Sequence, residues 1–187
     1  MVEIDTVLIK PVSRCNLNCR YCYVYHMGDA NWTRLPKLMS SETMSATVKA
    51  LTLLAQAQLR RFAVVLHGGE PLMLGSDRLA YLLAALRNAL PAEYPFSIQT
   101  NGTLITDDIL DICAQYHTSL GVSIDGPLPI HNRHRIDHQS EGTYERVLEG
   151  ILKLSNHPGA QFLYAGLLAV IDPTSDPYEV YHFFKSI

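Results

Sequence analysis

The sequence predicts an α/β fold: a partial (β/α) barrel of parallel strands with about five βα units. Three observations lead there. Short continuous apolar runs alternate with stretches of helical periodicity, the pattern of repeated βα units. Polar, glycine-containing signatures fall just past the ends of the strand runs, the edge where parallel α/β folds build their sites. The chain has 187 residues, whereas a closed eight-unit barrel needs about 250, so a curved open sheet is expected.

The elements follow in order. Val7-Leu8-Ile9 lies in a first strand over about 5–11 and leads into Cys15-Asn16-Leu17-Asn18-Cys19-Arg20-Tyr21-Cys22. Ser40 or Ser41 then suits a helix N-cap with Glu42 in the first turn, and Met44, Val48, Leu51, Ala55 and Leu59 recur at helical spacing. Phe62 to Leu66 reads as a strand covered on both faces and runs into His67-Gly68-Gly69-Glu70-Pro71. A helix over 77–90 carries Leu79, Leu82, Leu83 and Leu86 and ends before Pro91. Phe96–Thr100 is a third strand closing on Asn101-Gly102, and Thr106 caps a helix with Asp107 and Asp108 suited to its dipole. Leu120–Ile124 is a fourth strand, ending in Asp125-Gly126-Pro127. A polar, histidine-rich loop (131–140) precedes a helix over 142–155 presenting Val147, Leu148, Ile151 and Leu152. Phe162–Ile171 reads as a fifth strand, and a last helix starts near Asp176 or Pro177 and is still running at Ile187.

Bulk properties narrow the function. A formal net charge of -3 with 18% charged residues gives no electrostatic reason to expect a nucleic-acid partner. No apolar stretch reaches the roughly 20 residues needed to span a bilayer, and the opening Met-Val-Glu-Ile-Asp lacks the basic then apolar pattern of a signal peptide. A cytoplasmic protein without membrane attachment is expected. Of four cysteines, three lie within eight residues, which in that compartment points to metal or redox chemistry rather than disulfides. Cys113, alone in a helical pattern, reads as a small buried apolar residue.

The spacing C-x3-C-x2-C of Cys15, Cys19 and Cys22 can grip an iron–sulfur cluster through three irons, leaving one iron open to a small molecule. His26 follows Cys22 by four residues, so a Cys3His zinc site remains open on the motif alone. The other motifs, each at a strand end, favour iron.

Cys-Asn-Leu-Asn-Cys-Arg-Tyr-Cys-Tyr, then His-Gly-Gly-Glu-Pro, Gln-Thr-Asn-Gly-Thr-Leu and Ser-Ile-Asp-Gly-Pro, in this order, resemble the radical S-adenosylmethionine (SAM) superfamily. The likeness covers essentially the whole chain. It is closest in kind to the peptide- and protein-modifying branch that includes anaerobic sulfatase maturases. Met27-Gly28-Asp29-Ala30-Asn31-Trp32 is similar to maturases that build cyclophane crosslinks in ribosomal peptides.

The resemblance implies a [4Fe-4S] cluster on Cys15, Cys19 and Cys22. Bound SAM would chelate the fourth iron and be cleaved reductively to a 5′-deoxyadenosyl radical that abstracts a substrate hydrogen. It places Gly68, Gly69 and Glu70 at the methionine amine, with the glycines keeping side chains clear of the ligand. Arg135 is implied at the carboxylate, where a guanidinium pairs well, with Arg133 as its rival. Ser123 is implied near the ribose or carboxylate, and Asn101, with Gln99, towards the ribose or substrate; Tyr21 and Leu168 are implied beside the adenine. Asp125, two residues from Ser123 on the same strand face, would face the substrate cavity as a catalytic candidate. Asn132 stands where relatives often carry Asp. His131, His134 and His138 read as polar loop residues, Arg20 as a solvated one, and Trp32 as a brace for the cysteine loop. The implied partners are a precursor peptide or protein substrate and a low-potential electron donor such as flavodoxin or ferredoxin. Relatives of the branch have a six-unit core and a cysteine-rich C-terminal extension, so the chain reads as a single core domain, 1–187, truncated before that extension. Oxidation of a cysteine or serine to formylglycine, and a non-catalytic peptide-binding module, are the alternative functions.

Overall fold

The computed structural model describes residues 3–28 and 30–187. Met1, Val2 and Asp29, the last within the Met-Gly-Asp-x-x-Trp segment, lie outside the described residues. Five strands, β1 (Thr6–Val12), β2 (Ala63–Gly68), β3 (Phe96–Thr100), β4 (Thr118–Ser123) and β5 (Tyr164–Leu168), form one sheet in the order β1-β2-β3-β4-β5. Every pairing is parallel. The crossovers carry α1 (Ser41–Ala57), α2 (Ser76–Ala89), α3 (Asp107–Gln115), α4 (Leu128–His134), α5 (Tyr144–Asn156) and the single turn α6 (Ala160–Leu163); α7 (Pro177–Ser186) follows β5. Sequential strand order and parallel pairing bring all the strand-end loops to one edge. Among the described residues, no helix is long and apolar enough to cross a membrane.

The sheet's inner strands are apolar because helices cover them. Val64 and Leu66 of β2, Ile98 of β3 and Leu120 and Val122 of β4 are buried with Leu79, Leu82, Leu83 and Leu86 of α2. Burying each leucine is worth about 1.5–3 kcal/mol. This outweighs the missing side-chain cap at Gly75, which begins α2 and forgoes a contribution of about 1 kcal/mol. Side chains cap α1, α3 and α7: Ser40 accepts from the Thr43 N–H, Thr106 from Ile109, and Asp176 from Tyr178.

Several boundaries depart from the periodicity. Helix α1 stops at Ala57, and Leu59 is fully exposed. Gln58 turns extended there and stitches the chain's start: it accepts from the Ile4 N–H at 3.1 Å and donates to the Ile4 carbonyl at 2.8 Å. Strand β4 begins at Thr118 rather than Leu120. The run 162–171 is not one strand: 160–163 form a helical turn that buries Leu163, Phe162 is exposed, and pairing starts at Tyr164. One extra residue sits in β5 between the Leu120↔Tyr164 and Gly121↔Gly166 pairs, with Gly166 at φ 123°, a β-bulge that uses glycine's freedom. In α5 the buried residues are Val147, Gly150, Ile151 and Leu154, while Leu152 is exposed.

The histidine-rich loop contains helix α4, which begins behind Pro127. His131 in it is fully buried, where a polar loop histidine was expected. Asn132 takes up the open start of α5: its Oδ1 accepts from the N–H groups of Thr143 and Tyr144 at 2.9 and 3.0 Å. This contact is a cap supplied from outside the helix. Asn132→Ala is therefore expected to destabilise the protein by about 1–2 kcal/mol, measured by urea unfolding. Asn132→Asp keeps the acceptor and should unfold at or above the parent midpoint.

Candidate functional site

The glycine pair after β2 is required by packing. A Cβ on Gly69 would lie 2.0 Å from the Arg14 carbonyl and 2.2 Å from the Tyr25 hydroxyl; Gly68 sits at φ 123° with the Val12 carbonyl 2.8 Å from its missing Cβ. A tight approach to the start of the cysteine loop thus demands glycine at both positions. It lets the Gly69 N–H donate to Val12 at 3.2 Å and the Glu70 N–H to Arg14 at 2.9 Å. The Glu70 carboxylate, 1% exposed, accepts from Leu72 N–H at 3.0 Å, Thr100 Oγ1 at 2.7 Å and Asn101 N–H at 2.8 Å. Burial pushes its pKa up, and these bonds and Arg135 pull it back.

The cysteine loop is fixed from both sides. Its Asn18 N–H donates to Ile136 at 2.8 Å and its Arg20 N–H to His134 at 3.0 Å. His138 Nε2 meets the Cys15 carbonyl at 3.0 Å. Arg14 donates to the Trp32 carbonyl at 2.6 Å and lies over the Trp32 ring, which meets Tyr25 edge-on at 4.9 Å. Trp32 thereby packs against the loop, as its proposed bracing role requires. Asn101 reaches Cys15 Sγ at 3.7 Å, and the Leu17 N–H donates to the same sulfur at 3.4 Å. His26 bonds Asn18 at 3.0 Å.

Ser123, Leu168, Tyr21 and Arg135 line the same opening. Gln99 donates to Ser123 Oγ at 2.9 Å. Arg135 Nε lies 3.0 Å from Asp125 Oδ1, an ion-pair contact without an aligned hydrogen bond, since that N–H has no acceptor in line. Burial depresses the Arg135 pKa, but Asp125, Tyr21 and Cys19 outweigh it and raise it. The Tyr21 hydroxyl donates to the other Asp125 oxygen. Arg133, the rival for Arg135, points elsewhere and pairs with Asp172 at 2.7 Å.

These residues share one cavity of about 280 Å³, lined by Cys15, Cys19, Cys22, Tyr21, Gly68, Gly69, Glu70, Asn101, Ser123, Arg135 and Leu168. The exception among the expected site residues is Asp125. It is 4% exposed, its carboxylate is taken by Tyr21, Arg135 and the Val170 N–H, and it borders a neighbouring cavity of about 230 Å³ that shares Tyr21 and Val170 with the first. Lying beyond the last paired residue of β4, it escapes the strand alternation that was expected to place it beside Ser123. Tyr25 and His67 also line the main cavity; their position beside the cysteines and the glycine pair was the only sequence signal for them.

The residues suit a thiolate-bound cluster with an organic ligand. Burial pushes the Cys15 thiol up to about 12 and raises Cys19; metal binding supplies what ionises such buried thiols. One buried polar atom of a residue lining the cavity, Tyr25 Oη, has no hydrogen-bond partner. Among the described residues no three His, Cys, Asp or Glu side chains converge on a single-ion site, and thiolates that each hold a separate iron of a cluster need no such convergence.

A family model described as the radical SAM superfamily matches residues 9–170. The cysteine-type anaerobic sulfatase-maturating enzyme of Clostridium novyi is 27% identical, over 96% of this chain and 48% of the relative. The serine-type enzyme of Bacteroides thetaiotaomicron is 29% identical, over 97% and 43%. Among solved structures, native anSMEcpe with bound AdoMet superposes with a TM-score of 0.79 at 27% identity, over 97% of this chain and 49% of that one. The complex with AdoMet and the Cp18Cys peptide gives 0.80 at 27%, over 97% and 47%. The chain spans about half the length of these curated relatives.

Gly69→Ala forces the Arg14 carbonyl and Tyr25 apart and is expected to destabilise by about 2–3 kcal/mol, read from the urea midpoint. His131 provides a pH test. Burial lowers its pKa from 6.5 to about 4, so between those values the unfolded chain holds a proton that the native chain does not. Stability should fall as pH drops from 6.5 to 4, by up to about 3 kcal/mol. In His131→Gln that increment should be missing from the pH-dependence of unfolding.

Proposed function

This chain belongs to the radical SAM superfamily, and from that membership we propose that it is the cofactor-binding core of an enzyme that modifies side chains of a peptide or protein. Membership implies a [4Fe-4S] cluster and SAM as cofactors. The observation that carries the reading is the sharing of one cavity by the three cysteines, the Gly-Gly-Glu turn and Arg135. When bound, the cluster and SAM supply a 5′-deoxyadenosyl radical able to take a hydrogen atom from a substrate carbon.

The chain's own residues bind and aim. Cys15, Cys19 and Cys22 would hold the cluster. The Gly68 and Gly69 carbonyls, with the one acceptor position left on the Glu70 carboxylate, would take the methionine ammonium. The terminal nitrogens of Arg135 would take the carboxylate, Ser123 and Asn101 the ribose, and Tyr21 and Leu168 would flank the adenine. The apolar walls keep water from the reacting carbon.

The substrate class follows from what the relatives are called and from the peptide complex of a structural neighbour. A low-potential electron carrier is the expected reductant. Formylglycine formation from cysteine or serine is the second reading, favoured by the names of the same relatives; crosslinking is favoured by the Met27–Trp32 segment.

Anaerobically reconstituted protein should show broad absorbance near ~400 nm from thiolate-to-iron charge transfer and release 5′-deoxyadenosine when reduced with dithionite. Cys19→Ala should abolish both. Iron-replete protein that binds a peptide but never cleaves SAM would instead make the chain a binding module. The mass change of an unmodified substrate peptide separates formylglycine from a crosslink.

A further inference from the structure

We propose that Asp125 is a positioning residue that sets the Arg135 guanidinium for the carboxylate end of the nucleoside ligand; this rests on the site reading above. Asp125 itself does not border the main cavity, whereas Arg135 does. The contact at 3.0 Å is made through Nε, the inner edge of the guanidinium. Among the described residues, the terminal nitrogens have no hydrogen-bonded side chain and are left for a ligand on the cavity side. A planar fork held at one edge presents its other edge in a fixed direction, which suits bidentate capture of a carboxylate.

The pair is built to hold that direction. The Asp125 N–H approaches His131 Nδ1 at 3.4 Å, His131 Nε2 meets Thr143 Oγ1 at 3.0 Å, and Thr143 Oγ1 donates to the Arg135 carbonyl at 2.9 Å. This buried relay runs from the backbone of one partner to the backbone of the other. The second Asp125 oxygen takes the Tyr21 hydroxyl and Oδ1 also takes the Val170 N–H at 3.1 Å. Asp125 thus joins the cysteine loop, the end of β4, the segment after α4 and the exit of β5. Its negative charge also offsets that of a buried guanidinium, which burial alone would make costly.

The test compares two ligands on cluster-reconstituted protein by equilibrium binding: SAM, and 5′-methylthioadenosine, which keeps the nucleoside and lacks the amino-acid carboxylate. Asp125→Asn should weaken SAM by about tenfold or more, with methylthioadenosine affinity and iron content unchanged. Equal weakening of both ligands would reduce Asp125 to a structural role, and unchanged or tightened SAM binding would also overturn the proposal. In an Arg135→Gln background, Asp125→Asn should cost SAM nothing further; additive losses would show that Asp125 acts independently of Arg135. This arm compares Arg135→Gln with the double variant directly, so it stands if Asp125→Asn alone does not fold. Wild-type protein that binds neither ligand defeats the site reading itself, an outcome distinct from failure of the positioning role.

Discussion

The buried carboxylate of Glu70 is the interaction on which the rest of the site depends. Parallel strands end with open backbone groups, and the loops after β1, β2 and β3 must meet over those ends without water to satisfy them. Its carboxylate joins the β2 loop to the end of β3 through the Thr100 hydroxyl and the Asn101 N–H, and caps its own loop through the Leu72 N–H. Its own N–H joins the β2 loop to the loop after β1 by donating to Arg14. A carboxylate is costly to bury alone, but three donors to a charged acceptor are stronger than neutral bonds. Asn101 is held by that carboxylate, and its amide is what reaches Cys15. The position of the first cysteine is therefore set from two strands away.

The glycine pair belongs to the same junction. With a side chain at Gly69 the Arg14 carbonyl could not approach, and Glu70 would lose its backbone tie to the cysteine loop. Ligand binding and loop packing are thus not separate demands on these residues. The backbone that would face a ligand ammonium is held in place by its contact with the loop that carries the thiolates.

The sequence made the sheet, the caps and most of the cavity wall legible, because each rests on local chemistry. Ser40, Thr106 and Asp176 cap helices where a side-chain oxygen precedes an acidic first turn or a proline, and β3 falls on Phe96–Thr100 because an alternating apolar run is closed by Asn-Gly. What was illegible depends on distant partners. His131 looks like a loop histidine until Thr143 and the Asp125 backbone enclose it. Asn132 looks like an unremarkable polar residue until the start of α5 arrives with two open N–H groups. The run 162–171 is apolar throughout its first half, and only the bulge at Gly166 and the burial of Leu163 divide it. Asp125 was placed by strand alternation, a rule that stops where pairing stops. Arg133 and Arg135 are hard to tell apart in the sequence because a single residue separates them; Asp172, 39 residues beyond Arg133, pairs with Arg133 and leaves Arg135 lining the cavity.

The charge arrangement favours a zwitterion. Glu70 and the three cysteines line the same cavity as Arg135 and Ser123. A simple anion would gain from Arg135 and be opposed by Glu70 and the thiolates; a simple cation would meet the reverse. A ligand with an ammonium and a carboxylate a few bonds apart satisfies both. Asp125 offsets part of the guanidinium charge through its contact at Nε, while the terminal nitrogens keep their donors for a ligand carboxylate. Asp172 removes the competing cation by pairing with Arg133. One acid holds the useful arginine by its inner edge, and the other draws the second arginine away.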